Sequence, residues 1–290
     1  MMGTAAVLDE NLALVATLTG GDWALPLENL LDPTVKETVA RCVSGDPADA
    51  WFDVVWAGPG KRFDTLVIAG GSIDPRATFR LTWYSHPTDR SAGSVLQGGP
   101  DAAWLRVYPS PDRRRDRSYY AGNYLSGGQT ARDLAGKTPQ LLHRPAVSPR
   151  CKALRVEIDN RGRPLDLGHL FIARAFRPDW PHNWGMVLEP VDNSPVDATP
   201  GGRRIPDRRP APVRKTVRFD DLTEDEAMRF HDLGLRAGKT DPLLMIEDIT
   251  QGRHQWRRVK LATLEDGAIP VTQTEGDLWS ATLKLLEIIG

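Results

Sequence analysis

The chain has 290 residues, enough for roughly one to two domains. Its 37 Lys and Arg balance 38 Asp and Glu, so no global field draws it to nucleic acid or anionic lipid, and neither a membrane nor a specific nucleic acid is expected as partner. The 26 Gly and 23 Pro break the chain into short elements, which favours strands and turns over long helices.

No apolar run approaches the ~18 residues of a membrane helix. Met1 to Gly21 lacks a basic start and carries Asp9 and Glu10 within its apolar stretch, so it does not read as a signal peptide; synthesis in a cytoplasm is expected. The two cysteines, Cys42 and Cys151, rule out a disulfide framework. Two free thiols in a reducing compartment are the expectation, with a single bridge between them left open.

In chain order, Leu66-Val67-Ile68-Ala69 reads as a buried strand that ends in a turn at Gly70-Gly71. Ala77, Phe79, Leu81 and Trp83 alternate with Thr78, Arg80, Thr82 and Tyr84, the period of a strand with one buried face. The stretch from about 85 to 148 reads as a long loop inserted between strands, with a short helix near Gln129 to Ala135. Leu154, Val156 and Ile158 alternate with Arg155, Glu157 and Asp159, and Leu170 to Phe176 reads as a central strand. Short strands separated by Gly/Pro turns predict a sandwich.

Residues 194–212 hold Pro195, Pro200, Pro206, Pro210 and Pro212, among five arginines that run from Arg203 to Arg214, a linker or extended arm. Beyond it, Val213 to Phe219 reads as a strand, Thr223-Glu224-Asp225-Glu226 as a capping box, and Gly238 as the end of the helix. Leu243 to Ile246 and Trp279 to Ile288 are further strands. The fold class is therefore mostly β: an N-terminal jelly-roll-type β-sandwich plus a smaller C-terminal α+β unit. The division expected is 1–25 as an N-terminal segment, 26–193 as the sandwich, 194–212 as the arm, and 213–290 as the α+β domain.

Catalytic patterns are missing. The sequence has no nucleophile elbow, no P-loop and no dinucleotide fingerprint. No two of its six histidines stand at helical metal-ligand spacing. The acids at 220–226 are accounted for by helix capping. No catalytic, metal-binding or cofactor-binding residue is assigned, no cofactor is expected, and the protein reads as a non-enzyme. Tryptophan is abundant, at nine residues. Exposed Trp on a sandwich can stack on sugars, but Trp83 falls on a buried face, and Trp180 and Trp184 around Pro181 read as a packed corner. The arginines Arg113, Arg114, Arg115, Arg203, Arg204, Arg208 and Arg209 are candidate interface residues, on charged arms that order against a neighbouring subunit.

The segments Glu28-Asn29-Leu30-Leu31-Asp32-Pro33, Phe63 to Ser72 and Ala77 to Tyr84 resemble the opening of galactose-binding-like (discoidin-like) sandwiches of tailed-phage tail proteins. Leu154 to Asp159 and Leu167 to Ala173 resemble the closing strands. Val217 to Thr223, the helix, and Asp241 to Ile246 are similar to a minor-tail or distal-tail unit. Gly70-Gly71-Ser72 departs from that pattern, where a polar Asn is common, and no lectin sugar ligand can be matched residue by residue.

The resemblance implies a virion structural protein of the siphophage tail tip, made in the host bacterial cytoplasm and acting through subunit assembly. Its implied partners are the tail tube, the tail hub, neighbouring minor tail proteins and copies of itself in a trimer or hexamer. The alternative is a carbohydrate-binding module that contacts host surface glycans.

Overall fold

The structure, a computed structural model, describes residues 5–32, 38–108, 138–183, 185–198, 204–207, 209, 211–249 and 258–288. In chain order its strands are β1 (Ala6–Leu8), β2 (Ala16–Thr19), β3 (Ala40–Cys42), β4 (Trp51–Trp56), β5 (Thr65–Ser72), β6 (Thr78–Tyr84), β7 (Val95–Gln97), β8 (Leu105–Arg106), β9 (Gln140–His143), β10 (Ala153–Asp159), β11 (Leu165–Ala173), β12 (Val187–Pro190), β13 (Val196–Ala198), β14 (Arg204–Pro206), β15 (Val213–Leu222), β16 (Leu243–Ile246), β17 (Val259–Leu264), β18 (Val271–Glu275) and β19 (Leu278–Glu287). The α-helix, α1, spans Glu224–Ala237.

Two compact units result: residues 10–175 form one, and residues 1–9, 176–250 and 258–289 form the other. The chain thus starts in the second unit, builds the first, and returns. The opening residues, expected as a separate segment, are shared out: β1 pairs with β16, and β2 pairs with β4. The change of unit falls at Phe176 rather than near 194.

Residues 10–175 form an antiparallel β-sandwich. One sheet runs β2-β4-β10-β6-β7, with β8 also paired to β6; the other runs β3-β11-β5-β9. Phe52, Val54, Trp56, Phe79, Leu81, Trp83, Leu154, Val156 and Ile158 fill the core from the first sheet, as their period of two dictates. Trp56 is fully buried and donates its indole N–H to the Leu12 carbonyl at 2.8 Å.

The second sheet departs from simple alternation. On β5 the core residues are Leu66 and Ile68, then Ile73 beyond the strand end; on β11 they are Leu165 and Leu167, then Leu170 and Ile172. Both strands change parity at one place, where Gly70 (φ +85°) and Gly71 (φ +93°) meet Gly168. A Cβ on Gly71 would lie 2.1 Å from the Asp166 carbonyl oxygen, and one on Gly168 2.2 Å from that of Ala69. Gly70-Gly71 therefore does not end the strand as expected. It lets two backbones approach and flips the inward face.

The long loop expected at 85–148 contains structure: β7 and β8 both pair with β6, and β9 pairs with β5. The helix expected near Gln129 to Ala135 lies outside the described residues.

The second unit is an α+β layer. Its sheet order is β1-β16-β17-β19-β15-β12, with β18 also paired to β19. Helix α1 buries Ala227, Phe230, Leu233 and Ala237. Phe230 packs against Phe219 and Phe176, with ring centroids 5.0 and 5.2 Å apart. The capping box forms as expected: the Thr223 N–H donates to Glu226 Oε2 at 2.9 Å, and the Glu226 N–H donates to Thr223 Oγ1 at 3.4 Å. Gly238 follows the helix with φ +51°.

The Pro/Arg-rich stretch is not a plain linker. Val187 to Pro190 pairs with Val213 to Thr216, and the Val191 N–H donates to the Pro212 carbonyl at 2.8 Å. Val196 to Ala198 then pairs with Arg204 to Pro206, and the Asp207 N–H donates to the Pro195 carbonyl at 3.0 Å. The described residues of 187–198 and 204–216 thus pair as a two-stranded ribbon continuous with the edge of the sheet. Prolines are tolerated because β12, β13 and β14 each pair on one side only. The composition signals loss of core, not loss of pairing.

Candidate functional site

Three arrangements of side chains stand out. The first is the outer face of the sandwich sheet β2-β4-β10-β6-β7, where arginines interleave with aromatic rings. The Asp53 carboxylate is buried and receives Arg155 Nε at 2.8 Å and Arg90 Nε at 3.0 Å. Arg155 stacks on Trp51 at 4.1 Å, and Arg90 on Tyr84 at 4.7 Å. Arg80 makes a two-point pair with Glu157 (2.6 and 2.8 Å) and lies 4.8 Å from the Trp104 ring. β4, β10 and β6 supply the outward half of their alternation to this layer, and Arg90 and Trp104 reach it from loops. Every cation in it already has a carboxylate and a ring, so the layer stabilises the face and offers no free donor fork.

The second is an open groove of about 590 Å³, lined by Gly60, Lys61, Arg62, Val147, Ser148, Pro149 and Arg150. A two-way backbone bridge ties its walls: the Lys61 N–H donates to the Cys151 carbonyl at 2.7 Å, and the Cys151 N–H to that of Lys61 at 2.9 Å. Gly60 has φ +66°, and a Cβ there would sit 2.7 Å from the Cys151 oxygen, so glycine allows the close approach. Arg62 Nε donates to the Ser148 carbonyl at 2.9 Å, and Arg150 Nε to the Gly60 carbonyl at 3.3 Å. Ser148 Oγ donates to the Phe63 carbonyl. The lining carries three cations and no acid.

The third is a charge cluster in the α+β unit. Lys215 is 1% exposed and pairs with Glu247 at 2.8 Å; Lys260 pairs with Glu287 at 2.6 Å. Burial pushes the Lys215 ammonium down to about 8, against the pull of Glu247. Glu287 also accepts the Val213 N–H at 3.2 Å.

No protein-family model and no curated protein matches the chain. Some solved structures are similar to it. A fucolectin from striped bass (Morone saxatilis) serum is 8% identical, with 96% of each chain covered and a TM-score of 0.33. A CBM32 domain produced by Clostridium perfringens is 9% identical over 57% of this chain and 99% of that one, with a TM-score of 0.30. A GH29 fucosidase of Ruminococcus gnavus, solved with fucose, is 12% identical over 58% of this chain, with a TM-score of 0.34. This chain spans 27% of that fucosidase's length. No residue role is carried over from these structures.

Of the candidate arginines, Arg113, Arg114, Arg115, Arg203 and Arg208 lie outside the described residues. Arg204 stands in β14 opposite Ala198. Arg209 is exposed on the ribbon and pairs with Asp207 at 3.1 Å. Trp180, expected in a packed corner, is 63% exposed and belongs to neither hydrophobic core; Trp184 lies outside the described residues. Trp83 is buried as expected. Cys42 and Cys151 are free and buried, and burial pushes the Cys151 thiol up to about 12, which leaves it unreactive. Among the described residues no group of three His, Cys, Asp or Glu is placed to hold a metal.

The sequence reading missed the groove and the charge cluster. The cluster had a signal: Lys215 continues the inward period of Val217 and Phe219, and Glu287 that of Leu283 and Leu285. A charge at the next inward position asks for a buried partner. The groove had none, since Arg62 and Arg150 meet only through the fold.

Proposed function

We propose that the protein is a structural building block of a siphophage tail tip, a minor-tail or distal-tail protein that acts by subunit assembly and not by turnover. The observation that carries this reading is the ribbon formed by β12, β13, β14 and the start of β15. Its edge strand β12 is exposed along its whole length, with Val187 54% and Leu188 50% exposed. An edge strand with apolar side chains in water is a surface that another chain can cover. The partners in this reading are further tail proteins and copies of the same chain, as a trimer or hexamer, in the virion. The test is replacement of residues 195–212 by a short Gly/Ser turn. The variant should keep its near-ultraviolet signature and fail to enter particles. Particles that assemble normally without the ribbon tip would end this reading.

A second reading is a carbohydrate-binding module for host surface glycans, and the groove at Lys61, Arg62 and Arg150 favours it. Sugar recognition needs a concave surface with a few fixed polar groups, and the tied walls and anchored guanidiniums provide both. A glycan array with the full chain tests it; silence at millimolar sugar would remove it.

A further inference from the structure

We infer that the groove bounded by Gly60, Lys61, Arg62 and Arg150 binds the acidic group of an anionic saccharide, a uronate carboxylate or a sulfate ester. This rests on the second reading above and names the ligand class of that site.

Three features carry the inference. The first is unspent charge. Arg80, Arg90 and Arg155 of the same unit are each matched to a carboxylate. Among the described residues Lys61, Arg62 and Arg150 have no ion pair, and the groove between them has no acid in its lining. Three neighbouring like charges repel one another, and an oxyanion set among them removes that repulsion.

The second is orientation. Each guanidinium is held by one bond from Nε to a main-chain carbonyl, Arg62 to Ser148 and Arg150 to Gly60. That bond fixes the plane of the fork while sparing its terminal N–H groups, which match the oxygens of a carboxylate or sulfate. The Lys61–Cys151 bridge holds the two segments that carry these carbonyls together, so part of the side-chain freedom is already spent before binding.

The third is the wall opposite in character. Val147 is 65% exposed and Pro149 lines the groove beside it. They give apolar surface for the C–H face of a sugar ring next to the cations. A simple anion gains nothing from that apolar surface.

The test is affinity electrophoresis of the full chain in gels containing polygalacturonate, dextran sulfate, neutral dextran or poly-L-glutamate. Wild type should be retarded by at least one of the two acidic polysaccharides, and which one identifies the acidic group. It should pass neutral dextran freely and bind poly-L-glutamate at least fivefold more weakly. The double variant Arg62→Gln/Arg150→Gln should weaken the retardation tenfold or more. Arg209→Gln/Arg218→Gln, which removes the same charge elsewhere, should change it less than twofold. Thermal melts of both variants check that the fold is kept.

Equal losses in the two variants would overturn the site. Equal binding of poly-L-glutamate would overturn the saccharide. Retardation by neutral dextran that the groove variant leaves intact would overturn the inference while sparing the glycan reading. No retardation by any polysaccharide, together with a silent array, would remove both.

Discussion

The sandwich and the α+β unit both hold basic groups away from water, His143 and His169 in the first and Lys215 in the second, and they do so by opposite means. In the sandwich the two imidazoles are neutral, unlike the paired Asp53 of its outer face. His143 lies against Phe79 and Trp83, with ring centroids 5.5 and 6.1 Å away, and His169 is buried beside Asn11. Burial lowers both imidazoles to about 4, so near neutral pH they are uncharged packing groups. In the α+β unit the groups are charged and matched, Lys215 to Glu247 and Lys260 to Glu287. A neutral ring depends on pH staying above its pKa. A buried ion pair depends on its partner staying in place.

The largest effect should come from removing a partner. Glu247→Ala leaves Lys215 buried without a counter-charge, and such a loss costs about 3–5 kcal/mol. The double change Lys215→Met/Glu247→Leu removes both desolvation costs and should be close to neutral. Urea unfolding followed in the α+β unit separates the two. A Glu247→Ala variant that loses less than ~1 kcal/mol would mean Lys215 reaches water, and the contrast between the units would collapse.

Protons should destabilise both units, but in separate pH windows. For His143 and His169 the folded pKa lies below the unfolded value of 6.5. Between pH 6.5 and about 4 the unfolded chain takes up protons that the folded sandwich refuses, so stability falls as pH falls across that window. The loss is roughly 3 kcal/mol for each histidine at full shift. His143→Phe should remove about half of it, read as a shallower pH slope in chemical denaturation.

Lys215 has its folded pKa near 8 against 10.5 unfolded. In that window the unfolded chain again holds the extra proton, so the α+β unit should gain stability as pH rises from 8 toward 10.5. A melt that falls steadily over that range would place Lys215 outside the core.

The same contrast explains what the sequence could reveal. Alternation at 77–84 and 154–159 reports one local face and needs no partner, so those strands were legible, as were the capping box and Gly238. The pairing of β1 with β16 joins residues 6–8 to 244–246, and three apolar residues do not say where they dock. The parity change at Gly70 and Gly168 looks in sequence like a turn, because glycine marks both turns and close backbone approaches. The ribbon was hidden by its prolines. The groove depends on residues 60–62 meeting 147–150, which only the finished sandwich brings about.

The smallest effect expected is at the most legible feature. Thr223→Ala removes the acceptor for the Glu226 N–H and half of a reciprocal pair. Such caps are worth about 1 kcal/mol. The Glu226 carboxylate would still favour the helix N-terminus electrostatically, so Thr223→Asp should recover most of the loss and Thr223→Val none. The loss should appear in the melt of the α+β unit and leave the acid transition set by His143 and His169 unmoved. If the acid transition of the sandwich shifted as well, the units would be energetically coupled, and the two pH windows would have to be read as properties of one cooperative fold.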